Sequence, residues 1–288
     1  MEMTVNELTI GCVQFRPIEG DKAGTVKLAL SLIDRAAARG AQLIVLPEVW
    51  TGTGLATYEK GDFSDIAEPV EGPSVQVLQE RARHLGVYIV GSSFTLIDGR
   101  YHNIAPVIGP DGIVGSYSKT HLCDAPGRAD IPKPFMESDN IVPGSDLPVF
   151  ETDFGPLGIS ICADLRWPEV YRVLALKGAR IILCVTGFLS PRLDHWEFLL
   201  RARATENQVF VVGSGMTGID PTSGVSFVGR SMIVDPWGVP VAIASDGEGI
   251  VTTTIDLDLV DQVREAFPLL TKRRPELYGA MVEEGLPR

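Results

Sequence analysis

The sequence predicts an α/β protein in which two packed sheets are flanked by helices. Three observations carry that reading. Short, continuous apolar runs at residues 43–46, 157–161 and 181–185 have the composition of strands buried on both faces. Segments with helical spacing of apolar residues stand between such runs, and the turn pairs Asp98-Gly99 and Asp111-Gly112 signal hairpins. An internal echo repeats the arrangement: Gly40-Ala41-Gln42-Leu43-Ile44-Val45 resembles Gly178-Ala179-Arg180-Ile181-Ile182-Leu183, each piece following a helix and ending at a polar loop. Two β-α-β units joined by hairpins suit two sheets packed together better than one open parallel sheet.

In chain order, residues 8–15 alternate enough for a first strand. Asp21 caps a helix with Val26, Leu30, Ile33 and Ala37 on one side, and Gly40 stops it. The strand at 43–46 ends at Pro47-Glu48, before a Gly/Thr-rich loop, Thr51-Gly52-Thr53-Gly54. Ser74 opens the next helix, with Val77, Leu78, Ala82 and Leu85 on one side, and residues 87–94 form another strand ahead of the hairpins. From Lys119 to Gly144 periodicity disappears among Pro, Gly and Asp, which in a compact domain marks a functional or disordered loop. Residues 147–151 and the turn Asp153-Phe154-Gly155 lead into the strand at 157–161, and Pro168 fits the first position of a helix. The strand at 181–185 is followed by a helix from Asp194 to Asn207, then strands at 209–213, 227–234, 240–244 and 251–255. A last helix covers 257–267, and the polar tail from Pro268 is suited to lying over a surface or a partner.

Composition narrows the function. A length of 288 residues is within reach of one large α/β domain, and no linker composition divides it, so residues 1–288 are expected to form a single unit. The apolar fraction of 45% is ordinary, and no apolar run is long enough to span a bilayer. Residues 1–7 have neither the basic stretch nor the apolar core of an export signal, so a cytoplasmic location is expected. The net charge of −12, from 25 basic and 37 acidic residues, repels phosphate backbones and anionic lipid. Lys272-Arg273-Arg274 is too short a basic patch to reverse that, so neither nucleic acid nor membrane is an expected partner. The four cysteines (Cys12, Cys123, Cys162, Cys184) and four histidines (His84, His102, His121, His195) show no metal-binding spacing, which fits a reduced compartment and no metal site.

Cys162 stands where a buried strand ends and a helix is about to begin. Backbone N–H groups at such a mouth favour a thiolate and any oxyanion formed beside it. Alone, an isolated strand-end cysteine is most simply packing, and a single lysine is most simply a solvated charge. Here two partners stand at comparable ends: Glu48 after 43–47, and Lys119 after 114–117. A thiolate attacks a carbonyl carbon, a carboxylate carries protons, and an ammonium stabilises the developing oxyanion, which together make an acyl-transfer set.

These motifs, Leu46-Pro47-Glu48, Tyr117-Ser118-Lys119-Thr120-His121-Leu122 and the run Gly158 to Glu169 around Cys162, resemble those of the nitrilase superfamily of carbon–nitrogen hydrolases. Flanking pieces, from Arg201-Ala202-Arg203-Ala204-Thr205-Glu206-Asn207 to the terminal Arg274-Pro275-Glu276-Leu277-Tyr278, are similar too. The resemblance implies a four-layer α-β-β-α sandwich, no cofactor, a small-molecule amide substrate, and a homodimer or larger homo-oligomer. In that assembly the helices bearing Tyr171, Leu174, Trp196, Phe198 and Leu199 pack across a two-fold axis, with the tail from about residue 268 reaching the partner. It also implies that Glu137, in Phe135-Met136-Glu137-Ser138-Asp139, joins Glu48, Lys119 and Cys162 as a further catalytic carboxylate, and that the backbone N–H of Ala163 helps to hold the oxyanion. Ala163 stands where true nitrilases have Trp-Glu, which disfavours nitrile hydrolysis. Ser214-Gly215-Met216 replaces an Asn-Arg pair common in several branches, so the substrate branch stays open. The first expectation is an amidase acting on a short aliphatic amide or the ω-amide of a carboxylic acid. An N-carbamoyl hydrolase is the alternative, because Arg166-Trp167-Pro168-Glu169 resembles both groups. The intact Glu48-Lys119-Cys162 set argues against a binding protein without turnover. Arg166 and Phe188 are candidate substrate contacts; Arg166 either grips a remote substrate carboxylate or pairs with Asp164 or Glu169 to hold the turn.

Overall fold

The computed structural model describes residues 6–52, 63–127, 135–190, 192–220, 224 and 226–283. Thr53 and Gly54 of the Gly/Thr-rich loop, residues 128–134 of the long segment after Lys119, and residues 284–288 of the tail lie outside the described residues. From the N-terminal side, β1 (Glu7–Gln14), β2 (Leu43–Val45) and β3 (Tyr88–Val90) run parallel, connected through helices α1 (Lys22–Ala37) and α2 (Pro73–Leu85). A meander of β4 (Ser93–Ile97), β5 (Arg100–Gly109) and β6 (Gly112–Ser118) extends that sheet, and a short pair, β7 (Asp124–Ala125) with β8 (Phe135–Met136), follows Lys119. After β9 (Val149–Thr152), the strands β10 (Gly155–Ile161), β11 (Ile181–Thr186) and β12 (Phe210–Gly215) repeat the parallel arrangement, through α3 (Pro168–Leu176) and α4 (Leu193–Asn207). Then β13 (Met232–Val234) and β14 (Pro240–Ile243) finish the second sheet, and β15 (Gly249–Asp256) returns to pair antiparallel with β1 ahead of α5 (Leu259–Ala266).

The first sheet has the order β15-β1-β2-β3-β5-β4, with β6 also on β5; the second has the order β14-β13-β12-β11-β10-β9. The echoing pieces therefore occupy equivalent places, since β2 and β11 are each the middle strand of a parallel triplet.

Burial divides each central strand by its pleat. Ile181, Leu183 and Val185 point into the core between the sheets with Ile10, Val45, Val107 and Tyr117, while Ile182 and Cys184 face Tyr171, Leu174, Trp196 and Leu200 on α3 and α4. On the far side Ile44, Leu46 and Ile89 meet α1 and α2. Strands apolar on both faces thus yield helix, sheet, sheet, helix, a four-layer α-β-β-α sandwich.

The caps follow the chemistry of the sequence. Asp21 accepts a hydrogen bond from the Gly24 N–H at 2.7 Å and starts α1. The buried stripe of α1 is Thr25, Ala29, Leu32, Ile33 and Ala36, turned from the expected Val26–Leu30 side. Close approach explains the turn: a Cβ on Gly11 of β1 would lie 3.2 Å from the Ala36 Cβ, so small residues face the sheet. Likewise Val75, not Val77, joins Leu78 and Ala82 on the inner side of α2. Glu68 caps that helix by accepting the Ser74 N–H at 2.8 Å and the Ser74 hydroxyl at 2.9 Å.

Two expected strands are corrected. Residues 87–94 divide into β3 and β4, because Ser92 serves the turn after Glu48: its hydroxyl accepts the Val49 N–H at 3.1 Å and its carbonyl the Trp50 N–H at 3.0 Å. Only Met232–Val234 of the run 227–234 is a strand. Phe227 instead bridges to Leu189, and left-handed Gly229 and Arg230 turn the chain between them. Of the side chains expected on the interface helices, Tyr171, Leu174 and Trp196 are buried within the chain, Leu199 is half-buried and Phe198 is exposed.

Candidate active site

Three of the four expected side chains form one buried ionic cluster. Lys119, which continues from β6, is 2% exposed, and Glu137 is 1% exposed in the short turn after β8. The Lys119 Nζ donates to both Glu137 oxygens at 2.8 Å and to Glu48 Oε1 at 3.0 Å. A buried ammonium is tolerable only with such partners, and two carboxylates supply them. Glu137 is itself held by the backbone N–H of Cys123, which donates to Oε2 at 2.6 Å.

Glu48 lies just past the end of β2. Besides Lys119, its Oε1 accepts the Asn103 Nδ2 at 2.9 Å, and its Oε2 accepts the backbone N–H of Gly187 at 2.8 Å. Three donors from three elements leave this carboxylate with one orientation. The next residue, Val49, has φ 43°, which is costly for a β-branched side chain and is sustained by the Ser92 hydrogen bonds.

Cys162 follows β10 on the other sheet and adopts φ 46°, so the thiol sits on a sharp left-handed bend that opens a 3-10 turn over Cys162–Arg166. Burial pushes the thiol well above its ordinary pKa, and the Glu48 charge pushes it further; Lys119 acts in the opposite sense. The Thr186 hydroxyl, at the end of β11, is buried without a well-formed hydrogen-bond partner and also acts to lower the thiol pKa. At neutral pH the thiol therefore keeps its proton.

Asp164 does what the sequence did not reveal. It pairs with neither Arg166 nor Glu169. Fully buried, it accepts the Ile161 N–H at 2.8 Å, the Tyr117 hydroxyl at 2.7 Å, the His121 N–H at 2.9 Å and the Thr120 hydroxyl at 3.2 Å, with His121 Nδ1 also at 3.2 Å. One carboxylate thus ties the Lys119 segment of the first sheet to the Cys162 turn of the second.

The expected substrate contacts fall as follows. Ala163 is buried immediately after Cys162. Arg166 is exposed and lays its guanidinium over the Phe188 ring, 4.7 Å from the centroid, while its NH1 meets His195 Nδ1 at 3.2 Å. Phe188 is buried against Trp196 directly after the Gly187 that holds Glu48. A Cβ on Gly187 would lie 3.5 Å from Glu48 Oε2, 3.6 Å from the Met216 sulfur and 3.7 Å from the Phe227 ring, so an apolar group of Leu189, Met216 and Phe227 adjoins the carboxylate. Asn103, Gly187 and this apolar group were not singled out as contacts of Glu48, because strand pairing and loop return bring them there from 55 and 139 residues away. Among the described residues no cluster of His, Cys, Asp or Glu could hold a metal ion.

Comparison with known proteins identifies the family. The family model of carbon-nitrogen hydrolases matches residues 9–265. The omega-amidase NIT2 of Danio rerio is 36% identical over 270 residues, covering 92% of this chain and 94% of that protein. The omega-amidase NIT2 of Homo sapiens is 34% identical over 272 residues, covering 93% and 95%. Among solved structures, Saccharomyces cerevisiae Nit3, a member of branch 10 of the nitrilase superfamily, matches with a TM-score of 0.82 at 29% identity, covering 93% of this chain and 97% of that one. The carbon-nitrogen hydrolase from Helicobacter pylori G27 matches with a TM-score of 0.85 at 26% identity, covering 97% and 100%. Family match, shared fold and relatives lead to one conclusion: the chain belongs to the carbon–nitrogen hydrolase family of the nitrilase superfamily and is an amidase, a hydrolase of carbon–nitrogen bonds other than peptide bonds.

Proposed function

We propose that this amidase uses Cys162 as nucleophile and releases ammonia from a small amide through an acyl-thioester. The observation that carries the reading is the Glu48 carboxylate, fixed by Asn103, Lys119 and Gly187 and electrostatically coupled to the Cys162 thiol. Glu48 takes the thiol proton as sulfur attacks the carbonyl carbon. The carbonyl oxygen becomes an oxyanion, held by the Lys119 ammonium and the Ala163 backbone N–H. Glu48 then gives that proton to the amide nitrogen, the C–N bond breaks, and ammonia leaves an acyl group on sulfur. Water yields a proton to Glu48 and attacks the thioester; the sulfur departs, recovers the proton, and a carboxylic acid is released. Glu137 orients Lys119 throughout and keeps the net charge of the cluster negative, which sustains Glu48 as a base.

The omega-amidase relatives support a substrate whose amide lies at one end of a short carboxylic acid. Arg166, exposed over Phe188 and beside His195, is suited to gripping that remote carboxylate. An ammonia-release screen over small amides, ureido acids and nitriles tests the class: monoamide acids lead, and carbon dioxide accompanying ammonia from ureido acids as the best substrates would make the chain a carbamoyl hydrolase. Cys162→Ala replaces one small residue by another, so it folds yet loses about 10³-fold or more in turnover. Full activity in that variant would end the mechanism. A monoamide acid should exceed its methyl ester at the acid end by about 2–5 kcal/mol of transition-state stabilisation, and Arg166→Lys should remove much of that difference.

A further inference from the structure

Thr186 is the last residue of β11, and its side chain is fully buried. Register sets its neighbours in the sheet. Ile161 of β10 lies opposite Val185, so Cys162 and Thr186 are the next residues along the same parallel pair; on its other side Thr186 lies opposite Gly215 of β12. The methyl group is turned to β12, since a Cβ on Gly215 would lie 3.4 Å from Thr186 Cγ2. The hydroxyl is left to the β10 side, where the Cys162 bend begins. The backbone is fixed as well: the Thr186 carbonyl accepts the Met216 N–H at 3.1 Å, and the next N–H, that of Gly187, donates to Glu48 Oε2 at 2.8 Å. One strand end thus adjoins both the base and the nucleophile.

In this position the hydroxyl makes no well-formed hydrogen bond, although it is shut away from water. A buried hydroxyl in that state is costly. The thiol beside it relieves little of that, because a neutral thiol is a weak acceptor, whereas a thiolate is a strong one. Burial, the Glu48 charge and Cys123 raise the pKa of the Cys162 thiol; Lys119 opposes them, and the Thr186 hydroxyl acts in the same sense as Lys119.

We infer that Thr186 is a catalytic residue whose hydroxyl donates a hydrogen bond to the Cys162 sulfur each time negative charge develops there. The inference rests on the nucleophilic role proposed for Cys162. As Glu48 takes the thiol proton and the S–C bond forms, the hydroxyl turns its hydrogen to the sulfur and keeps it. When the thioester is hydrolysed, the S–C bond breaks and its electron pair returns to the sulfur. The hydroxyl then donates again until Glu48 returns the proton. The bond is made only in the charged states, so it lowers barriers without stabilising the resting enzyme.

Thr186→Val keeps a β-branched side chain and removes the hydroxyl, whereas Thr186→Ser keeps the hydroxyl. Both are compared with the native protein in urea stability, amide turnover and the rate of iodoacetamide alkylation from pH 6 to 9. Alkylation is followed by mass on the Cys162 peptide, so that Cys123 does not contribute. Thr186→Val should have a urea midpoint at or above the native one, since the orphaned hydroxyl is gone, yet lose about tenfold or more in kcat/KM. Its Cys162 alkylation at a given pH should slow by about threefold or more, because a thiol pKa about one unit higher removes thiolate faster than it adds nucleophilicity. Thr186→Ser should restore both rates. Native turnover and alkylation in Thr186→Val overturn the inference, and so does lost turnover with native alkylation, which confines Thr186 to packing. If Thr186→Val fails to fold, Thr186→Ala is set against Thr186→Ser, and equal alkylation in those two overturns it. Amide turnover by Cys162→Ala would instead show that the underlying reading of the site had failed.

Discussion

The backbone N–H of Gly187 donates to Glu48 Oε2 at 2.8 Å, across 139 residues of chain. Each residue lies just beyond the end of the middle strand of a parallel triplet, Glu48 after β2 and Gly187 after β11. The two strands are the echoing pieces of sequence, one in each sheet. Packing the sheets face to face sets their C-terminal ends side by side, so the repeat that builds the sandwich also assembles the site at the mouth of both triplets. A carboxylate from one half is oriented by a backbone donor from the other.

Glu137→Gln tests the charge balance. The native cluster holds two carboxylates about one ammonium, and the substitution removes one negative charge while nearly preserving shape. Lys119 then neutralises Glu48 more fully, Glu48 becomes a weaker base, and kcat falls by about 10²-fold with a smaller change in KM. Steady-state kinetics from pH 5 to 9 checks this, and an unchanged profile would contradict it.

Asp164→Asn tests the tie between the sheets. In either orientation an amide NH2 there confronts a backbone N–H, that of Ile161 at one oxygen position or that of His121 at the other, donor against donor. Stability falls by roughly 2–4 kcal/mol, and Tyr117→Phe, which removes one donor, costs about 1 kcal/mol. Because the Lys119 segment is no longer registered on the Cys162 turn, kcat drops by about 10²-fold in molecules that remain folded. Urea titration and turnover on the same samples read both effects; native stability and rate in Asp164→Asn would refute them.

The buried thiols make the fold sensitive to alkali. Burial pushes Cys12 and Cys184 up to about 12, while an unfolded thiol ionises near about 8.5. The folded state therefore holds protons that the unfolded state gives up. Their contribution is fully present below the unfolded value and is lost as pH rises towards 12, reaching roughly 2–3 kcal/mol per thiol at about pH 10.5. Urea midpoints at pH 7.5 and 10.5 should diverge in the native protein and converge in part in Cys12→Ala or Cys184→Ala. An equal pH effect in those variants would exclude the thiols as its source.

Of the helix side chains expected at an interface, Phe198 stays exposed, and others join it as candidates. Phe198 on α4, Leu176 at the end of α3, and Leu277, Met281 and Val282 in the tail expose apolar surface. Exposed apolar side chains of this kind are what a symmetric dimer would cover. Sedimentation of active protein at micromolar concentration should show a dimer or a multiple of it, and Phe198→Asp should shift it towards monomer. An active sample that contains only monomer would rule the assembly out.

Much of this protein is legible along the chain because its signals are local. The apolar runs at 43–46, 157–161 and 181–185, the Asp21 cap, Pro168 and the three flanked residues Glu48, Lys119 and Cys162 each depend on neighbours a few positions away. Tertiary structure decided what depends on distant pairing. It replaced the expected local partner of Asp164 with Tyr117, Thr120 and His121, because a fully buried carboxylate must collect donors from whatever segment packs upon it. It divided the strand at 87–94, because Ser92 is needed by the turn after Glu48. It placed Asn103 and Gly187 on the same carboxylate through the register of β5 and the return of the loop after β11. Residue type and short spacing establish what chemistry is present; which donor meets which acceptor is set by how two sheets pack, and no local stretch of sequence contains that information.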